Sequence, residues 1–126
     1  MWVVFNTNPI NRRVGDCVVR AISKALEKPW DTVYWDLCMK GYVLCDMPSS
    51  NEVYGAYLRD NGFTRHSIPN TCPDCYTVKD FCFDHPEGSY VLGTGSHAVA
   101  AIDGDYYDIW DSGDEVIINY YAKEVH

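Results

Sequence analysis

Arg13-Val14-Gly15-Asp16-Cys17-Val18-Val19-Arg20-Ala21-Ile22 passes from a polar, glycine-containing loop into an amphipathic helix, and the change falls on Cys17. The predicted helix runs from Asp16 to Leu26, with Val18, Ile22, Ala25 and Leu26 on one face at three- and four-residue spacing. Pro29 ends it. A cysteine is by default a small buried hydrophobe. At the head of a helix its sulfur faces unpaired backbone N–H groups and the positive end of the macrodipole, and both favour thiolate over thiol. Cys17 is therefore the candidate nucleophile.

Two further elements lie downstream. Ser96-His97-Ala98-Val99-Ala100-Ala101-Ile102 sets a histidine at the start of an apolar strand, and Trp110-Asp111-Ser112 sets an acid at the end of the next. Nucleophile, base and orienter in that chain order form one known catalytic arrangement.

The elements around these residues segregate. A second helix is expected from Asp31 to Met39, with Gly41 stopping it, and a third from Asn51 to Asn61, capped by Ser49 or Ser50 and closed by Gly62. A short fourth spans Thr77 to His85, with Thr77 as its cap. The period then changes to two, with strands at Tyr90 to Thr94, His97 to Ile102, Asp105 to Asp111 and Val116 to Tyr121. Asp103-Gly104 is a hairpin signal between the middle pair. Helices first and strands second indicate an α+β domain, and 126 residues suffice for one domain, 1–126, and not for two.

Composition narrows the function classes. Ten Lys and Arg against eighteen Asp and Glu leave a net charge of −8, which argues against binding a phosphate backbone, so no nucleic-acid partner is expected. Met1-Trp2-Val3-Val4-Phe5 lacks the basic start of a signal peptide and is broken by Asn6, Asn8 and Pro9, and no run is long enough to span a membrane. The expectation is a cytoplasmic protein whose six cysteines are reduced thiols.

On Asp16-Cys17 at the helix head, Ser96-His97-Ala98-Val99 opening a strand and Asp111 ending the next, the chain resembles the papain-like cysteine peptidases. It is most similar to their compact bacterial branch of leader-peptide-cleaving domains and to small phage and bacterial proteins of that type. The resemblance covers the ends of the chain well and Lys40 to Tyr76 poorly. It implies a papain-like α+β fold, N-terminal helices packed on a small C-terminal antiparallel sheet. It also implies a thiol hydrolase in which Cys17 attacks a carbonyl, His97 accepts and returns the proton, and Asp111 orients the imidazole. The family places a Gln six residues before the cysteine as an oxyanion-hole donor; here that position holds Asn11, a shorter amide. A peptide or protein substrate and no cofactor or metal follow from the resemblance.

Alternatives stand beside it. A two-residue Asp103-Gly104 turn would set His97 opposite Trp110 and make Asp108 its diagonal neighbour, whereas a three-residue loop would bring Asp111 to the histidine's face. The family pattern prefers Asp111. Cys72, Cys75, Cys82 and His85 form a CxxC followed by a Cys and His three apart, a ligand set able to close a tetrahedral zinc site. A catalytically inactive module of the same fold, such as a phage protein that blocks a host factor, would need neither chemistry.

Overall fold

The computed structural model describes residues 1–69 and 72–123. Asp103 and Gly104 both take positive φ, 50° and 85°, and Ile102 pairs with Asp105. That is the two-residue turn whose twist matches the flanking strands. It joins β4 (Ala98–Ile102) to β5 (Asp105–Asp108), and the remaining strands add on either side of this hairpin. These are β1 (Trp2–Val4), β2 (Phe63–Ser67), β3 (Ser89–Gly93) and β6 (Asn119–Lys123). Their order is β1-β5-β4-β3-β6-β2, with β1 parallel to β5 and every other pairing antiparallel.

The architecture is thus α+β, as expected, but the sheet is six-stranded and mixed rather than a small antiparallel sheet from the C-terminal half. Two strands were not anticipated. β1 is three residues long and finds its partner more than a hundred residues away, a pairing with no local signal. β2 buries only Phe63, so it shows no alternation. Val116, expected to open the last strand, makes only an isolated bridge to Thr77, and the ladder begins at Asn119.

Four helices cover the sheet: α1 (Cys17–Leu26), α2 (Trp30–Leu44), α3 (Asn51–Asp60) and α4 (Val78–Asp84). α1 and α3 share one core with β3 and β4, built from Val18, Ile22, Leu58, Val91 and Ala100, and α2 packs on both helices through Val33 and Leu37. α4 sits in a second core with Phe81, Leu92, Val99 and Ile117. Burial of alternate residues in different cores explains why β4 reads as an uninterrupted apolar run. Ser50 caps α3 by accepting from Val53 N–H at 3.2 Å, and Thr77 and Asp80 form a reciprocal capping box on α4.

α2 runs past Gly41, which does not stop it; Cys45 in left-handed conformation (φ 56°) does. Gly41 is present for a different reason. A Cβ there would stand 2.7 Å from the Asp46 carbonyl oxygen and 3.3 Å from Pro48 N, so only glycine lets the returning chain pack against the helix. Cys72 and Cys75 are joined in a disulfide, contrary to the expectation of reduced thiols throughout. Their sulfurs are committed to each other. His85 directs Nδ1 at the Phe81 carbonyl (2.9 Å) and stacks on the Phe81 ring, so the ligands of the alternative zinc set do not converge. Among the described residues no group of three or more His, Cys, Asp or Glu is placed to hold a metal ion, and no helix is long and apolar enough to cross a membrane.

Candidate active site

Cys17 is the first residue of α1, half-buried at the floor of a cleft of about 230 Å³. The cleft is lined by Gly15, Ser49, Asn51 and Tyr54 on the helical side and by Gly95, Ser96, His97 and Ala98 on the sheet side. His97 immediately precedes β4, so the strand's pairing with β3 and β5 fixes where its ring stands. The ring and the Ala98 N–H both lie on the sheet side of the cleft beside Cys17, close enough to act on the ionisation of its thiol. Nε2 of His97 meets Asp108 Oδ2 at 2.6 Å, which leaves Nδ1 for the thiol. Trp110 tilts over the imidazole at 5.2 Å between ring centroids and covers one of its sides.

The acid on the histidine is therefore Asp108, not Asp111. The two-residue turn makes Asp108 the diagonal neighbour of His97, the outcome strand geometry gives for that loop length. Asp111 lies beyond the strand end, exposed, where it accepts from the Tyr106 hydroxyl and from Gly113 N–H. The preference for Asp111 taken from the family pattern is corrected here.

Asp108 is wholly buried, and every oxygen it has is engaged. Oδ2 also accepts from Ser112 Oγ (2.8 Å), while Oδ1 accepts from Ile109 N–H (2.8 Å) and Arg20 (2.8 Å). Arg20, 2 % exposed, turns its other guanidinium nitrogen to Asp16 at 2.5 Å. Asp16 precedes α1 but does not cap it with its side chain; the second carboxylate oxygen receives Trp30 Nε1 at 2.8 Å. One connected series of hydrogen bonds, Trp30–Asp16–Arg20–Asp108–His97, thus ties α2, α1 and the β4–β5 hairpin together and ends beside Cys17. Buried charges cost several kcal/mol each unless paired, and here each has a partner. Arg20 was missed in the sequence, although a lone Arg in Val18-Val19-Arg20-Ala21-Ile22, four residues after Asp16, marks a charge that must pair inside.

The electrostatics follow from this series. Burial pushes the Cys17 thiol up, but the bonds from His97 and Ala98 and the charges of His97 and Arg20 outweigh it and leave the thiol below its ordinary value. Burial pulls His97 down, yet Asp108 and Cys17 raise it to about 9. Burial likewise raises Asp108, and the bonds from His97 and Ser112 with the charges of His97 and Arg20 bring its carboxyl net below the usual range. All three directions favour a thiolate–imidazolium pair held by a carboxylate.

Asn11 is not brought to this site. It is exposed, takes φ 58°, accepts from Asn6 Nδ2 at 3.4 Å and lines a separate surface hollow with Val4, Arg13 and Ile109. A larger groove of about 700 Å³ adjoins the cleft through Gly15 and Ser49, with Ile10, Val14, Val19, Trp30, Leu37 and Met47 along its walls. Compared with protein-family models, curated proteins and solved structures, the chain matches none.

Proposed function

We propose that this protein is a thiol hydrolase of the cysteine peptidase type, with Cys17 as nucleophile, His97 as base and then acid, and Asp108 as orienter. The observation that carries the reading is the His97–Asp108 hydrogen bond set beside a cysteine at a helix N-terminus, with His97 and Cys17 lining one cleft. The sulfur attacks a substrate carbonyl carbon while the π pair moves to oxygen. Return of that pair expels the leaving amine, which takes the His97 proton, and an acyl-enzyme remains. Water, deprotonated by His97, then attacks the acyl carbon, expels the sulfur and restores the ion pair.

The adjoining apolar groove supports a peptide or protein substrate, since its volume falls in the range of pockets that take a bulky apolar group. The resemblance to papain-like peptidases and the cytoplasmic setting belong to the same proposal, in which the thiol must stay reduced to act. Alkylation by iodoacetamide at mildly acidic pH, followed by peptide mapping, tests it. Cys17 should react far faster than Cys38, Cys45 and Cys82, and His97→Ala should abolish the difference. Equal rates at the four free thiols would overturn the reading. A second reading, an inactive binding module of the same fold, is favoured by one observation: the amide expected at the oxyanion, Asn11, lies outside the cleft.

A further inference from the structure

Tyr54 projects from α3 into the Cys17 cleft, and its side chain is 4 % exposed. The ring is held edge-on against Tyr121 at 5.9 Å, so its direction is set by core packing. Its hydroxyl makes no hydrogen bond to any described residue. The hydroxyl therefore faces the cleft as a donor with no protein partner. The space around it is also maintained by the backbone. A Cβ at Gly93 would lie 3.3 Å from the Tyr54 hydroxyl and 2.5 Å from Asn119 Oδ1, itself buried and unpartnered. Gly93 pairs across the sheet with Ala98, and Ala98, Cys17 and Tyr54 line the same cleft.

From this placement we infer that the Tyr54 hydroxyl, together with the Cys17 backbone N–H, donates to the oxygen of the substrate carbonyl, taking the place of the displaced Asn11 amide. The inference rests on the thiol-hydrolase reading. When sulfur bonds to the carbonyl carbon, the developing oxyanion needs donors already aimed at it. The first-turn N–H of Cys17 has no intrahelical acceptor and supplies one. Burial, reinforced by the charges of Tyr121 and Cys17, keeps the Tyr54 phenol protonated up to about 12, so it remains a donor wherever the ion pair exists.

The test compares two reactions of the same sulfur in wild type, Tyr54→Phe and Tyr57→Phe. In acylation by p-nitrophenyl acetate, sulfur adds to the carbonyl, an oxyanion forms, and its pair returns as p-nitrophenolate leaves. In alkylation by iodoacetamide, sulfur displaces iodide and no oxyanion forms. Tyr54→Phe should lower the ratio of acylation rate to alkylation rate by roughly 100-fold. Tyr57→Phe, the loss of another α3 hydroxyl, one that bonds Asp36 outside the cleft, should change it by less than about twofold. A Tyr54→Phe ratio within about twofold of wild type, with thermal unfolding confirming a folded variant, would overturn the inference and leave the thiol-hydrolase reading standing. Should Tyr54→Phe fail to fold, Gly93→Ala crowds the same hydroxyl without removing it, and an unchanged ratio there would count equally against the inference. Failure of wild-type Cys17 to react preferentially with either reagent would instead overturn the thiol-hydrolase reading, and the inference with it.

Discussion

Replacing Asp108 by Asn removes a charge from His97 while keeping a side chain of the same shape. His97 is raised from 6.5 to about 9 in the native protein, and at 1.36 kcal/mol per pH unit that interval corresponds to roughly 3 kcal/mol. Burial opposes the shift, so Asp108 and Cys17 together supply at least this much. Assigning about half to Asp108, which contributes both a 2.6 Å bond and a charge, gives roughly 1.5 kcal/mol, or about tenfold. The variant should therefore lose its imidazolium about one pH unit lower than wild type. Its Cys17 should need a correspondingly higher pH to form thiolate. The assay is the rate of Cys17 alkylation against pH, read by peptide mapping, with a fall of about tenfold near pH 6 expected. The variant also leaves Arg20 with Asp16 as its single carboxylate partner, which destabilises by an amount approaching the 3–5 kcal/mol of a broken buried ion pair, so unfolding must be measured alongside. Asp111→Asn, which alters an exposed carboxylate bound to Tyr106 and Gly113, should leave the alkylation profile where it is. A profile that shifts in Asp111→Asn and not in Asp108→Asn would refute the assignment of the orienter.

Trp30→Phe keeps an aromatic ring beside Tyr34 but removes the indole N–H from Asp16, and should cost about 1–3 kcal/mol in chemical denaturation; no loss would show that this bond is not needed to hold the carboxylate. Gly41→Ala drives a methyl against the Asp46 carbonyl and Pro48 N, where backbone must yield, and a loss of about 1–3 kcal/mol is expected; a gain, as for an ordinary helix-interior Gly→Ala, would refute the close packing. Stability should also depend on pH at this site. His97 is raised in the folded state, so its contribution is complete below the unfolded value near 6.5 and is lost as pH rises through about 9. Asp108 is depressed, so its contribution is present above the unfolded value of about 3.9 and is lost as pH falls through its lower native value. Unfolding free energies from acid to alkaline pH in wild type and His97→Gln check this, and the alkaline decline should vanish in the variant.

The placement of Cys17 at a helix start and of His97 at a strand start was legible because each depends on local features. Cys17 follows a loop-to-helix change, and His97 opens an apolar strand. The hairpin was legible as well, since Asp103-Gly104 suits two successive positive φ values. That turn already contained the geometric case for Asp108, and only the analogy with a family favoured Asp111. Asn11 failed for a related reason: its spacing from Cys17 matches the pattern, but loop hydrogen bonds to Asn6 and Asn8 hold it to a different surface. Tyr54 carried no signal, because a tyrosine on an apolar helix face reads as core until the fold shows that it lines a cleft. Gly41 was misread as a stop because a helix-interior glycine required by tertiary contact has no mark of its own in the sequence.

The most direct measurement of the central claim is a titration of thiolate ultraviolet absorbance in wild type, Cys17→Ser and His97→Ala. The Cys17–His97 ion pair predicts an absorbance step below the ordinary thiol value of about 8.5, absent in Cys17→Ser and moved to higher pH in His97→Ala. A single step in the ordinary range, with no low-pH component lost in Cys17→Ser, would contradict it.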